Sequence, residues 1–303
     1  MSLSQSRRVK SSPPPFPEQL IEPLFLKGLR HRQTGIDMRP GDPMWFSRVY
    51  DVCGFLYLLP LAFGAVRPSE PLHVFTTDVT YDFEHGTGAI VRLYDPRCGR
   101  PEEHGWVDRE AYLQGRFGIK PRSDVAGQQR SGFKKLLLNE RDAAGHKCTR
   151  VYWIAPEIGH LYWWVYRAYM DHVQPAKCRH PFLHCSRGGA AFGAPWTLDA
   201  SGDRFRRGLA AIDQKQSSAD GTCLSAFRHR VRRWMDVMGV PPGIQQIVLH
   251  HRSIHSQAAY GRGSGFEVST VLSALSSGQS SREATRLHEI GRELADAVMG
   301  IPG

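Results

Sequence analysis

The residues of this chain best suited to chemistry are arginine, histidine and tyrosine side chains in three separated stretches. GAVRPSEPLHVFTTDV (64–79) carries Arg67, with Glu70 three positions later. CLSAFRHRVRRWMDVMG (223–239) carries Arg228 close to a helix start. IQQIVLHHRSIHSQAAYGR (244–262) carries His251, nine residues before Tyr260. Arginine offers a planar, permanently charged fork that matches phosphate oxygens and the charge gathering on them in a phosphoryl transition state. A phenol ordinarily titrates near ~10 and is a poor nucleophile at neutral pH unless nearby cations favour the phenolate. Each residue also has a plain structural use. Arg67 could pair with Glu70, Arg228 could touch a phosphate backbone without catalysis, His251 could cap a helix, and Tyr260 could be a core tyrosine with a bonded hydroxyl.

In order and spacing, the three stretches resemble the catalytic-domain motifs of the tyrosine recombinase (phage integrase) family. Those motifs read approximately G-x-R-x-S-E, H-x-L-R-H and L-G-H-x-S-I-x-(S/T)-x-x-x-Y. The resemblance covers about residues 17–275 and is broken by an insertion at about 98–146. It implies an α+β, mainly helical catalytic domain with a small antiparallel sheet. It implies that Tyr260 attacks a DNA phosphodiester, forming a 3′-phosphotyrosyl link and freeing a 5′-hydroxyl. Arg67 and Arg228 would clamp the non-bridging oxygens, and His251 would hydrogen-bond one of them; no metal or nucleotide cofactor takes part. The family's general acid is usually a lysine on a β-hairpin turn. Lys147 stands in that place, just before CTRVYWIA, with Lys120, Lys134 and Lys135 as rivals.

Two positions depart from the family pattern. Ser225 stands where a His or Lys is usual, three residues before the second arginine, and a hydroxyl does not take up and pass on a proton as imidazole does. His250 replaces the glycine of L-G-H. His229 and His250 are close enough in sequence to compensate, and Glu70 completes the first motif. Arg230, Arg232, Arg233 and Arg252 are expected to contact the DNA backbone.

The elements that must position these residues follow from hydrophobic spacing. Residues 1–16 read as a flexible lead-in. From Pro17, apolar residues at Leu20, Ile21, Leu24, Phe25 and Leu29 recur at helical spacing. A loop follows, then an apolar helix through Tyr50 to Phe63. HVFTTDVTYDF and GAIVRLYDP read as strands around the turn at His85–Gly88, and CTRVYWIA (148–155) reads as another. The 98–146 insertion carries nine Lys/Arg and seven Asp/Glu, with helix expected around Phe133–Leu138. HLYWWVYRAYMDHV (160–173) is an aromatic-rich helix. In the helix after Ser225, residues Phe227, Val231, Trp234, Met235 and Met238 form the core face and Gly239 the stop. The tail 280–303 reads as a helix with an apolar stripe of Leu287, Ile290, Leu294 and Val298. It either packs on its own domain or, as the family's habit suggests, docks on a neighbouring protomer in an assembly on DNA.

Composition narrows the partner. The chain of 303 residues carries 39 Lys plus Arg against 29 Asp plus Glu, a net charge of +10, with 41% hydrophobic residues. That excludes global disorder and favours a polyanionic partner. Residues 201–260 carry nine Lys/Arg and four Asp/Glu, half of the surplus in about a fifth of the length. The longest uncharged run, Val52–Val66, has 15 residues interrupted by Pro60 and two glycines. A spanning helix needs roughly 17–25 apolar residues, so the run reads as a buried helix and no membrane partner is expected. Six scattered cysteines fit reduced thiols in the cytoplasm. Cys178, His180, His184 and Cys185 are too compressed for the usual zinc spacing, so no metal is expected.

The expected function is therefore site-specific DNA recombination or integration on double-stranded DNA, with self-association on the DNA and a nucleoid location when bound. The alternative is a catalytically impaired DNA-binding protein of the same fold, which Ser225 favours. Only about 16 residues precede the first catalytic-domain helix where the family carries an N-terminal DNA clamp; either the parent protein is longer or the insertion substitutes for the missing half, and weak, poorly specific binding by this chain alone is expected.

Overall fold

The computed structural model describes residues 14–31, 42–134, 136–174, 178–251, 265–278 and 282–299. The architecture is α+β and mainly helical, with one small antiparallel sheet. Its centre is helix α3 (Val52–Gly64), in which every residue is buried. A helix apolar all round has no face for water and must be enclosed. Helices α5 (Pro156–His172), α6 (Leu198–Ala210) and α7 (Leu224–Val237) enclose it.

The helical run from Pro17 is three short pieces: a 3-10 turn (Glu18–Leu20), α1 (Ile21–Pro23) and a π turn (Leu24–Gly28). Pro23 lacks the N–H that a continuous ladder needs. Ile21, Leu24, Phe25 and Leu29 are nonetheless buried, as their spacing requires. Gly28 crosses Gly208 of α6 so closely that a Cβ on Gly28 would lie 2.6 Å from the Gly208 carbonyl oxygen. The single helix expected around Tyr50–Phe63 is α2 (Pro43–Val49) followed by α3. The break comes at Tyr50, whose extended backbone bridges to Arg30.

The sheet has the order β1-β2-β4-β3, all antiparallel, from β1 (Val79–Tyr81), β2 (Ala89–Tyr94), β3 (Glu140–Arg141) and β4 (Lys147–Arg150). Val79 lies opposite Val91, Leu93 opposite Thr149, and Arg141 opposite Lys147. The strand expected over 148–155 is shorter, because the chain leaves the sheet after Val151 bonds Val91 and turns into α5, with Pro156 at its first position.

Residues 98–146, expected as an insertion, are folded onto the rest, with Leu136 in the main core and Tyr112 and Leu113 in a second cluster with Phe75 and Phe182. Their helix is α4 (Arg109–Phe117), not the expected one near Phe133–Leu138. Asp108 caps α4 by accepting from the Ala111 N–H, and Gly118 stops it in a left-handed conformation at φ 67°. The segment expected to be helical instead spans two surfaces. Phe133 meets His73 edge-on, and the Leu137 N–H reaches the His250 carbonyl at 3.4 Å. Two buried arginines, Arg109 and Arg122, tie the insertion to the segment after the first motif. Arg122 donates to the carbonyls of Leu72 at 2.9 Å and Trp196 at 2.6 Å.

In the tail, α9 (Gly265–Gly278) contacts α10 (Arg282–Met299), and α10 lies on α5 of the same chain with Ile290, Leu294 and Val298 buried. Among the described residues no helix is long and apolar enough to cross a membrane.

Candidate functional site

The site is built where helix ends meet. Helix α3 stops at Ala65, in a left-handed conformation at φ 55°, and the chain turns immediately through Arg67–Glu70. Three hydroxyls from distant elements pin that turn. Tyr57 donates to the Pro68 carbonyl at 2.8 Å, Ser201 of α6 donates to the Tyr57 hydroxyl at 3.1 Å, and Ser131 of the insertion donates to the Ser69 carbonyl at 3.1 Å. Glu70 is completely buried and takes two bonds from Arg67, one from its backbone N–H at 2.8 Å and one from its Nη1 at 2.7 Å.

Arg228 enters from α7, which packs along α3. Its Nη1 donates to the Ala65 carbonyl and its Nη2 to the Leu249 carbonyl. These carbonyls belong to the C-caps of α3 and of α8 (Pro242–Val248). One guanidinium thus sits at the negative ends of two helices, where the peptide dipoles favour a cation. It joins the first motif to the third.

Helix α8 closes with a Schellman turn. The His251 N–H bonds the Gln246 carbonyl at 2.9 Å and the His250 N–H bonds the Ile247 carbonyl at 2.9 Å. The position between requires a left-handed backbone, which is why a glycine suits it. Here His250 occupies it, at φ 49° and fully buried. A non-glycine residue in this region costs of order 1–3 kcal/mol, so its surroundings must hold it. They do so through its ring, with Nε2 3.0 Å from the Arg150 carbonyl and Nδ1 3.7 Å from Glu70 Oε2. The turn leaves His251 partly shielded and within electrostatic reach of both arginines.

The electrostatics of the group are those of an anion site. Burial and the neighbouring Arg67 charge lower Arg228 to about 10, against the opposing pull of Glu70. Burial, then Arg228 and Arg67, hold His251 down to about 4, so its imidazole is neutral at pH 7 and can donate one N–H. Burial alone would raise the Glu70 carboxyl, but His250 and Arg67 outweigh it and hold Glu70 to about 2. Against its ordinary value of 4.5, this depressed carboxyl contributes stability that is complete above pH 4.5 and lost as pH falls through about 2. In Glu70→Gln, the fall in unfolding free energy across that acid window should be shallower than in the parent protein. Urea titrations at stepped pH read this directly, and equal slopes would contradict the assignment.

The structure therefore brings together Arg67, Glu70, Arg228, His250 and His251. Lys147 is exposed at the first residue of β4, just past the hairpin turn and opposite Arg141, and is not among the residues brought together here. Ser225 is exposed one turn before Arg228, with its hydroxyl 3.3 Å from Cys223 Sγ. His229 is half-buried on α7, lowered by burial and by Arg228 and Arg232. Arg232 and Arg233 are exposed, Arg232 lying 3.9 Å from Asp236. Tyr260 and Arg252 lie outside the described residues.

Arg230 corrects its expected place on a DNA-facing surface. It is 4% exposed, bonds both Glu18 oxygens at 2.5 Å and the Ala62 carbonyl at 2.8 Å, and lies over the Phe63 ring. It alternates with Arg228 along α7 and so turns inward, fixing the N-terminal segment to α3. Among the described residues, no three His, Cys, Asp or Glu side chains converge as metal ligands. Cys185 of the CRHPFLHC segment contacts the Tyr169 hydroxyl at 2.9 Å, and His184 packs edge-on against Tyr57.

Tyr57, Ser131 and Ser201 position the Arg67 turn without any motif to mark them, since each acts through one hydroxyl from a different part of the chain. The chain was also compared with known protein families, curated proteins and solved structures, and nothing matches it.

Proposed function

We propose that this chain is the catalytic domain of a DNA strand-transfer enzyme of the tyrosine recombinase type. In that reading it cleaves and rejoins double-stranded DNA through a 3′-phosphotyrosyl intermediate. The observation that carries it is that Arg67, Arg228 and His251, from three motifs spread over 185 positions, lie within electrostatic reach of one another, with Arg67 bonded to the buried Glu70. Glu70 pairs with Arg67, and two guanidiniums against that one carboxylate leave a positive charge that a phosphodiester matches. The neutral His251 ring donates its N–H to a non-bridging oxygen, while Arg67 and Arg228 take up the charge that develops in the pentacoordinate transition state.

Tyr260, nine residues beyond His251, is the nucleophile on this reading. Its oxygen forms a bond to phosphorus as the bond to the 5′-oxygen breaks, and that leaving oxygen takes a proton from Lys147. No metal or nucleotide is needed, since the phosphotyrosyl ester conserves the bond for rejoining. Arg232, Arg233 and Arg252 track the duplex backbone, and the chain works in the cytoplasm, with other copies of itself on the DNA.

On a suicide DNA substrate with a verified cognate site, the chain should form a covalent protein–DNA adduct that disappears in Tyr260→Phe. Adducts that survive this substitution would refute the nucleophile. The exposed Ser225 favours a second reading, a DNA-binding protein of the same fold with little turnover. Ser225→His separates the two: turnover should rise if the missing imidazole is the only defect, and an inactive variant that still binds DNA favours the second.

A further inference from the structure

A second concentration of positive charge lies away from the Arg67–Arg228 group. Between the chain segment that follows the π turn and helix α6 there is a cleft of about 520 Å³, lined among others by Arg30, His31, Asp51, Arg204, Arg207 and Ala211. That volume falls within the range of small-molecule sites. Asp51, 3% exposed at the start of α3, sets its Oδ2 2.9 Å from Arg204 Nε. Both atoms are shut off from solvent, and their alignment is that of an ion pair and not of a hydrogen bond. Arg204, its side chain about a third exposed, is thus paired with one buried carboxylate. Arg30 and Arg207 are exposed at the rim and have no carboxylate partner among the described residues. Arg207 spends only its Nε, on the Asp203 carbonyl at 3.3 Å.

Among the described residues, three guanidiniums against one carboxylate leave two positive charges in excess in a cleft of small-molecule size. A phosphomonoester carries about −1.5 to −2 at pH 7, whereas each phosphodiester of a nucleic-acid backbone carries one charge. The walls favour the same ligand. Gly28, Ala210 and Ala211 line the cleft without long side chains, leaving room for a compact group. Guanidinium forks bind such a group in a bidentate manner.

We propose that this cleft is a binding site for a small phosphomonoester, with Arg30, Arg204 and Arg207 holding the phosphate and Asp51 holding Arg204 in place. The site is separate from the proposed strand-transfer chemistry and does not depend on it.

The test is isothermal titration calorimetry of the full chain with ribose 5-phosphate, using dimethyl phosphate as the singly charged control. Saturable binding of ribose 5-phosphate is expected, roughly tenfold or more tighter than dimethyl phosphate. In the double variant Arg30→Gln, Arg207→Gln, binding should weaken by at least about tenfold, with the far-ultraviolet circular dichroism of the parent retained because both side chains are exposed. Tyr260→Phe should bind as the parent does. Four outcomes overturn the proposal: no saturable heat with ribose 5-phosphate, equal binding of dimethyl phosphate, unchanged binding in the double variant, or binding of a 5′-phosphorylated oligonucleotide without binding of the sugar phosphate. The last would make the cleft a nucleic-acid contact.

Discussion

Replacing Arg109 with methionine is expected to destabilise the fold by about 3–5 kcal/mol, the range seen when one partner of a buried ion pair is removed. Arg109 is 1% exposed, and its Nη2 lies 2.5 Å and 2.6 Å from the two oxygens of Asp78. It also donates to the carbonyls of His73 at 3.0 Å and Arg100 at 2.9 Å, and its guanidinium lies 3.9 Å from the centre of the Phe75 ring and 4.7 Å from that of Tyr94. Methionine would fill most of the space but leave the Asp78 charge and two carbonyls buried without that donor. The loss should appear as a lower midpoint in urea at an unchanged slope, together with faster proteolysis within 98–146. Adding Asp78→Asn to the same chain should recover part of it, because the cost lies in the stranded charge. A single variant within about 1 kcal/mol of the parent would show that the insertion is held by something else.

On the proposed reading, Arg228→Lys should lower the rate of strand cleavage by about 10²–10³-fold, the scale of removing one preorganised donor from a developing oxyanion. The lysine keeps the charge but loses the fork. Arg228 spends one arm on the Ala65 carbonyl and the other on the Leu249 carbonyl, and one ammonium cannot reproduce that spacing while facing a phosphate. A stability loss of about 1–3 kcal/mol is expected as well, from a carbonyl left without its donor. Cleavage should therefore be measured per bound DNA and well below the variant's unfolding temperature. Cleavage within twofold of the parent would remove Arg228 from the chemistry and leave it a structural clip between α3 and α8.

Much of the frame is legible in the residues. Phe227, Val231, Trp234, Met235 and Met238 recur at helical spacing and are all buried, and Gly239 follows at φ 66° where a helix stop was expected. The apolar run after Tyr50 is enclosed because no arrangement could give it a wet face. The helix expected around Phe133–Leu138 is not there among the described residues. The Asp108 cap and the Gly118 stop, both local signals, mark the helix that does form, Arg109–Phe117.

The sequence by itself determined which residue types could meet a phosphate, the helical frame that carries them, and the excess of positive charge. It could not determine which arginines face outward. Arg228 and Arg230 are two positions apart in one basic run, and helical geometry turns one toward the helix ends beside Arg67 and the other inward to Glu18. Nor could it show that His250 takes the glycine's left-handed place in the α8 turn, held there by Glu70 and Arg150 from elsewhere in the chain. Local pattern fixes periodicity and caps because those are set by neighbours a few residues away. The meeting of Arg67, Arg228 and His251 is set by the packing of α7 on α3 and by the bonds that hold the α8 turn to Arg228, Arg150 and Glu70, and no window of sequence contains it.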